Sequence, residues 1–156
     1  MAKNCIVASA VVFNKRGKIL LIKHKKFDTW IYPGGHVEDN EHPDKSVVRE
    51  VFEETGIKIK IIDALKGAHI SDKHAKRIAQ PTAIMLENAK YKTGLHRHFD
   101  LIYLAEPVGE SARPNKESHD VGWFNRQEIN KLDIKFKNVT DIINVTVAAY
   151  KRLKKS

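Results

Sequence analysis

The stretch from Gly35 to Ile57 reads Gly-His-Val-Glu-Asp-Asn-Glu-His-Pro-Asp-Lys-Ser-Val-Val-Arg-Glu-Val-Phe-Glu-Glu-Thr-Gly-Ile. Its carboxylates at Glu50, Glu53 and Glu54 are spaced at i, i+3 and i+4, so on a helix they share one face. Aligned carboxylates repel one another unless a cation lies between them. The face therefore holds either solvent counterions or a divalent metal, and oxygen ligands at this density suit Mg²⁺ or Mn²⁺.

A helix is predicted over this run. Pro43 suits a first helical turn and Gly56 suits the residue after a helix end, so we expect the helix to reach about Thr55. One side of this helix is apolar and should pack into the core, and the neighbouring side should expose the three carboxylates. Pro33-Gly34-Gly35 forms a turn whose backbone can approach a ligand or metal closely, and a carbonyl there could complete a coordination shell.

The spacing within the stretch is more specific than the helix alone. Gly35 is followed after five residues by Glu41 and after seven more by Arg49-Glu50, and Glu53-Glu54 and Gly56-Ile57 come next. These positions match the Nudix box, so the chain resembles the Nudix hydrolase family. The box covers 23 residues, and the strand pattern around it is similar to that family's fold over nearly the whole chain.

The resemblance implies an α/β fold, in the form of an α/β/α sandwich with a mixed β-sheet, as a single domain over residues 1–156. It also implies hydrolysis of a nucleoside diphosphate linked to another group, with Mg²⁺ or Mn²⁺ as the cofactor. The reaction would be attack of a metal-activated water on phosphorus.

Carried over position by position, the box assigns a role to each of its polar residues. Glu50 and Glu54 would be the leading metal ligands, and Glu53 would be a ligand or would shape the water shell. The carbonyl of Gly34 would be a further ligand. Arg49 would orient the glutamates, for which its spacing of four residues from Glu53 is suitable.

Glu41 would support the site from the loop before the helix. The general base is open between a box glutamate, Glu50 or Glu53, and Glu117 in the loop that precedes Trp123. For Asp120 in that loop we favour an ordinary solvated position.

Several residues outside the glutamates are candidates for substrate binding. Gly35 in the turn and His36 directly after it could meet a phosphate. Trp30 could stack on a base, although aromatic residues in strands are more often core. Phe27 is an exposed stacking candidate.

His96 and His98 share one face of a predicted strand. A transition-metal site there needs a third ligand, which the sequence does not reveal, so a substrate or phosphate contact is favoured. Cys5 is interpreted as a small buried core residue.

The remaining elements are mostly strands. Residues 5–13 and 18–24 are apolar and β-branched, and the turn at Gly17 suggests that they form a hairpin. Further predicted elements are strands at 30–32, 57–65, 81–86, 97–105 and 121–124, and helices at 126–132 and from about 138 to 153.

Composition limits the class of protein. A length of 156 residues suits one domain, and the chain lacks an apolar run long enough to span a bilayer. It also lacks the pattern of a signal peptide. The single cysteine excludes an intramolecular disulfide and fits a cytoplasmic location. The net charge of +9 favours polyanionic partners such as nucleotides or nucleic acid.

We therefore expect a nucleotide pyrophosphohydrolase that is a monomer or homodimer. Positions Asp72 to Ala75 lack the proline or tyrosine that some members for ADP-ribose or dinucleoside polyphosphates carry nearby, which favours a nucleoside triphosphate. One alternative is a pyrophosphohydrolase for the 5′ end of RNA, for which the sequence offers charge but no binding motif. The other is a non-catalytic regulatory module that binds nucleotides, although such a module would be expected to lose box carboxylates.

Overall fold

The structure is a computed structural model that describes residues 2–68, 70–109 and 118–155. These residues form eight strands: β1 (Lys3–Val12), β2 (Ile19–His24), β3 (Thr29–Ile31), β4 (Gly34–His36), β5 (Ile59–Ile61), β6 (Ala83–Tyr91), β7 (Gly94–Pro107) and β8 (Ser118–Phe124). They also form three helices: α1 (Pro43–Thr55), α2 (Arg126–Ile129) and α3 (Lys137–Leu153).

The strands are arranged in two sheets. The larger sheet has the order β4-β1-β7-β5, and β6 pairs with β7 beside β5. Its central pair, β1 and β7, is parallel over ten residue pairs, whereas the other pairs are antiparallel. The smaller sheet has the order β3-β2-β8 and is antiparallel. The larger sheet is therefore mixed, as predicted.

Helices cover both faces of the central strands. On one face, Val47 and Val51 of α1 join a buried cluster with Ala8 and Ala10 of β1. On the other face, α3 packs its buried side chains on alternate residues of the same strands, with contacts that include Val11, Ile102, Leu104, Ile142 and Ile143. Because successive residues of a strand point to opposite faces, the two helices lie on opposite sides of the sheet. The predicted α/β fold and its sandwich arrangement are confirmed.

The predicted hairpin of the first two strands is wrong. Gly17 does turn the chain, with a φ of 71°, but β1 pairs with β4 and β7 while β2 pairs with β3 and β8. A single bridge between Phe13 and Ile19 joins them among the described residues. The physical reason is that β1 is apolar on both faces, which suits a central strand covered by helices on both sides.

The helix of the organising stretch is confirmed from Pro43 to Thr55, and Gly56 ends it with a φ of 72°. The strand predicted over 57–65 is shorter, since only Ile59–Ile61 pairs with β7. Strand β4 was not predicted, because a pair of glycines carries no strand propensity and only its pairing with β1 holds it extended.

Cys5 is partly exposed, which corrects its interpretation as a core residue. Among the described residues, no helix combines the length and apolar composition that a bilayer crossing needs.

A cleft of about 1000 Å³ opens between the two sheets beside α1 and the start of α3.

Candidate active site

Helix α1 brings two glutamates against the backbone of β4. The carboxylate of Glu54 accepts a hydrogen bond from the N–H of Gly34 at 2.9 Å. A Cβ placed on Gly35 would lie 2.4 Å from Oε2 of Glu50 and 2.5 Å from its Cδ. The close approach of both glutamates to β4 depends on these glycines. A side chain at Gly35 would displace Glu50, and a Cβ at Gly34 would meet Ser9 at 2.4 Å.

The three carboxylates are not equally exposed, which corrects the expectation of one exposed acidic face. Glu54 is only 3% exposed, the side chain of Glu50 is 13% exposed, and that of Glu53 is 54% exposed. Strand β4 accounts for the difference, because its backbone lies against Glu50 and Glu54. Buried carboxylates need a cation or several hydrogen-bond donors to remain charged.

Arg49 supplies one such cation at the centre of the acidic cluster. Its Nη1 donates to Glu50 at 2.8 Å and to Glu53 at 3.0 Å. Its Nε and Nη2 donate to the two oxygens of Glu41, each at 2.9 Å, and Glu38 lies 4.0 Å away. These carboxylates raise the pKa of Arg49, and the guanidinium lowers the pKa of Glu41 to about 2.

The donor set suits a hard divalent cation. Four carboxylates lie within 4.0 Å of the Arg49 guanidinium, and Glu54 is buried on the same helix. One positive charge among five carboxylates leaves a local surplus of negative charge in a protein whose net charge is +9. Mg²⁺ and Mn²⁺ prefer such carboxylate oxygens, so the residues present fit these ions.

The cleft beside these glutamates has an aromatic side. Phe27 stacks on His24 with ring centroids 4.7 Å apart and contacts the edge of Phe136 at 5.6 Å. Lys26 places its Nζ 3.7 Å from the ring centroid of Tyr91. Phe27, Tyr91 and Phe136 all line the cleft, so a planar group could lie between aromatic rings there. Phe27, predicted as an exposed stacking candidate, is partly buried in the cleft wall, and its stacking role stays a prediction.

The floor of the cleft carries acidic groups of a different kind. Asp100 is 3% exposed, and burial raises its pKa to about 7, although the nearby Ser9 opposes this effect. Burial also raises the pKa of Glu87, whose carboxylate accepts a hydrogen bond from Nδ2 of Asn138 at 2.9 Å. Tyr32, buried beside them, has its pKa raised by the same loss of solvent. These groups favour neutral forms that can donate and accept hydrogen bonds.

Sequence reasoning missed this floor. Glu87 and Asp100 lie on strands β6 and β7, and a polar residue in an alternating strand is normally assigned to the solvated face. The register pairs Met85 with Asp100 and Glu87 with His98, so these residues share the face that lines the cleft. The available signal was one acid within each of two strands of mixed polarity, and the sequence alone could not place the two acids on one face.

The remaining predicted site residues fall in several places. His36 lines the cleft, and its carbonyl accepts a hydrogen bond from Nη2 of Arg49 at 3.2 Å. Trp30 is absent from the cleft lining among the described residues and instead contacts Phe124 edge-on at 4.9 Å. Asp120 is exposed, as expected. Glu117 lies outside the described residues.

Comparison with known proteins agrees with the geometry. The family model described as NUDIX domain matches residues 3–141. A MutT-like protein of Streptomyces ambofaciens is 29% identical over 126 residues, which is 81% of this chain and 67% of that protein. Diphosphoinositol polyphosphate phosphohydrolase 3-alpha of Mus musculus is 44% identical over 48 residues, but this covers only 30% of this chain and 29% of that protein.

The fold is also similar to solved structures. A hydrolase of the NUDIX family from Clostridium perfringens has a TM-score of 0.75 and 23% sequence identity, over 93% of this chain and 97% of the other. At this level of identity the likeness concerns the fold alone.

Proposed function

Because this chain belongs to the NUDIX family, whose members are pyrophosphohydrolases acting on nucleotide derivatives, we propose that it hydrolyses a nucleoside triphosphate or a related nucleotide. The observation that carries the proposal is the contrast between the two sides of one cleft. Carboxylates held around Arg49 line one side, and aromatic rings with buried acids of raised pKa line the other. The polyphosphate of a nucleotide would lie on the carboxylate side, with a bound cation between them, and its base would lie on the aromatic side.

Glu50, Glu54 and the carbonyl of Gly34 would hold Mg²⁺ or Mn²⁺, and Glu53 would be a further ligand or shape the water shell. The burial of Glu50 and Glu54 against β4 supports this assignment, because it fixes their rotamers before a ligand arrives. When bound, such an ion acidifies a water molecule and offsets the charge that develops on the phosphate oxygens.

Arg49 would keep the glutamates oriented. It bonds to Glu41 through both oxygens, which anchors the loop before α1 to the helix. Glu50 or Glu53 is our proposed general base, because both lie on the side of the helix that lines the cleft. Their hydrogen bonds from Nη1 of Arg49 orient the oxygens that would accept the proton from water.

The opposite side would bind the base and sugar. Phe27 and Tyr91 would stack on the base, and Asn138 with Glu87 and Asp100 would recognise its polar edge. A protonated Asp100 can donate as well as accept a hydrogen bond, which an ionised carboxylate cannot do. Burying a polar edge without such partners would cost several kcal/mol, roughly 1–3 per unpaired group, so this side would select among bases.

A substrate panel tests the proposal. Purified protein is incubated with nucleoside triphosphates, ADP-ribose, a dinucleoside polyphosphate, a diphosphoinositol polyphosphate and RNA bearing a 5′ triphosphate, with and without Mg²⁺. Release of phosphate or pyrophosphate from a nucleoside triphosphate, only with divalent metal, is the expected result. Turnover confined to the RNA or to the inositol compound would overturn the proposed substrate, and binding without turnover would support a regulatory module.

The expectations of a cytoplasmic location and a single domain over residues 1–156 remain proposals. The lone cysteine supports the reducing compartment.

A further inference from the structure

The parallel pairing of β1 and β7 assembles a cluster that the sequence did not reveal. Cys5 is the register partner of His98, and Lys3 is the partner of His96. Paired residues of neighbouring strands point to the same face of a sheet, and residues two apart on one strand share that face. Cys5, His96 and His98 therefore lie on one face, where the two histidines gain the third ligand that they lacked.

The distance between Cys5 and His96 matches that of two ligands in a tetrahedral metal site, and His98 lies nearby. One potential ligand atom from each of the three residues lies within 4.8 Å of the others. The Sγ of Cys5 is 3.6 Å from Nδ1 of His96. Ligands at the usual Zn–S and Zn–N lengths, about 2.3 and 2.05 Å, are about 3.6 Å apart at a tetrahedral angle. A metal could thus enter without a large movement of these two side chains.

His98 provides independent evidence for a missing partner. It is 8% exposed, and its buried Nε2 has no hydrogen-bond partner in the described part of the chain. Buried polar nitrogens are nearly always paired, so a buried ring nitrogen without a partner beside a thiol indicates an absent ligand.

His96 is already oriented as a metal ligand would be. Its Nε2 lies 3.3 Å from Oγ1 of Thr93, while its Nδ1 faces Cys5. A hydrogen bond at the outer ring nitrogen is the usual way in which proteins fix the ring and tautomer of a ligating histidine.

We propose that Cys5, His96 and His98 bind a Zn²⁺ ion, with the fourth position open. A thiolate with two imidazoles selects Zn²⁺ over Mg²⁺, which prefers hard oxygens. The site is separate from the glutamates of α1, and His98 lines the cleft. The ring of His36 lies next to it, with its centroid 5.0 Å from that of His98, so the ion would be held beside the bound nucleotide.

Cobalt titration of the metal-free protein, in excess Mg²⁺, tests the proposal. Since Cys5 is the single cysteine, a thiolate-to-cobalt charge-transfer band reports this site alone. We expect the band to saturate at one equivalent and to be displaced by one equivalent of Zn²⁺. Cys5→Ser should abolish the band, and His98→Gln should weaken Zn²⁺ binding at least about 100-fold, more than the 10–100-fold typical for losing an outer-shell partner.

Controls separate this site from its surroundings. Thr93→Val should weaken Zn²⁺ binding by about tenfold, whereas His74→Ala, an exposed histidine, should leave it unchanged. Glu54→Gln should retain Zn²⁺ binding even though it removes a proposed Mg²⁺ ligand, so failure of either site is detected separately.

A further measurement needs no variant. The rate at which iodoacetamide alkylates Cys5 in the unaltered protein should fall sharply when one equivalent of Zn²⁺ is added. Absence of both the charge-transfer band and this protection, or Zn²⁺ binding that persists unchanged in Cys5→Ser, would overturn the proposal and leave a thiol–imidazole hydrogen bond as the only interaction.

Discussion

Two groups of carboxylates line the same cleft, and the protein treats them in opposite ways. Around α1, Arg49 bonds to three glutamates and holds the pKa of Glu41 at about 2. On the floor formed by β6 and β7, burial raises the pKa of Asp100 to about 7 and raises that of Glu87 as well. The carboxyl of Glu41 is therefore held charged beside Arg49, whereas burial shifts Asp100 and Glu87 toward their neutral forms.

The difference shows that position within the fold, and not residue type, decides the chemistry of an acid. Charged carboxylates attract a cation and through it a polyphosphate, whereas neutral ones hydrogen-bond to uncharged polar groups. Four variants test this contrast, from the largest expected effect to the smallest.

Glu54→Gln should have the largest effect, because it removes a buried charge from the proposed metal site while retaining an acceptor for the N–H of Gly34. We expect kcat to fall by about 10²–10³-fold, similar to the loss of one preorganised electrostatic contact in other enzymes. Steady-state kinetics with Mg²⁺, with circular dichroism to verify folding, measure this effect. Asp39→Asn, which removes an exposed carboxylate from the nearby loop, is the control, and near-normal kcat in Glu54→Gln would exclude Glu54 as a ligand.

Arg49→Ala should impair both activity and stability. Removing the guanidinium leaves Glu41, Glu50 and Glu53 without this hydrogen-bond donor. We expect the free energy of unfolding to fall by about 2 kcal/mol, since the pairs are partly solvated, and kcat to fall about 10–100-fold. Urea denaturation should show that Mg²⁺ restores part of the stability, because a cation again separates the glutamates. Arg126→Ala, at an exposed arginine, is the matched control; equal losses in both variants would show that Arg49 has no special role.

Asp100→Asn tests the neutral side through the pH dependence of stability. The folded pKa of Asp100, about 7, lies above the ordinary 3.8, so the unfolded chain releases this proton first. Stability is therefore full below about pH 4 and is lost as pH rises toward 7. Between pH 5 and 8 the loss should be about 2 kcal/mol.

The asparagine variant should lack this part of the pH dependence and be the more stable protein at pH 8. Urea unfolding at the two pH values measures the difference. The exposed Asp133→Asn is the control, and an unchanged pH slope in Asp100→Asn would show that Asp100 is charged throughout.

Glu41→Gln should show the smallest effect, with the opposite sign. The pKa of Glu41 is lowered from 4.5 to about 2, so its stabilising contribution is present above about pH 4.5 and is lost as pH falls toward 2. The wild type should lose about 1 kcal/mol from this group between pH 6 and 3, after allowance for solvent screening. Thermal melts of Glu41→Gln should show a shallower acid limb, whereas Glu38→Gln, at an exposed neighbour, should match the wild type.

The sequence predicted the α1 helix well because its signals are local. Pro43 and Gly56 mark its ends, and the polar spacing between Gly35 and Ile57 identifies the family, which the comparisons confirm. The hairpin of β1 and β2 failed because strand pairing is not a local property. Likewise, the burial of Glu54 depends on β4, a strand of glycines that exists only because β1 offers a partner.

The sequence by itself determined the α/β class, the family and the glutamates on one helix, because these follow from short-range spacing and periodicity. The tertiary structure decided which glutamates are buried, which acids have their pKa raised by burial, and which histidines lie beside the cysteine. The burial of Glu54 depends on the pairing of β4 with β1, and the shared face of Glu87 and Asp100 depends on the register of β6 with β7. The cluster of Cys5 with the two histidines depends on the register of β1 with β7, which are about ninety residues apart. No local pattern encodes that register, because it is set when the two faces of the sheet are buried together.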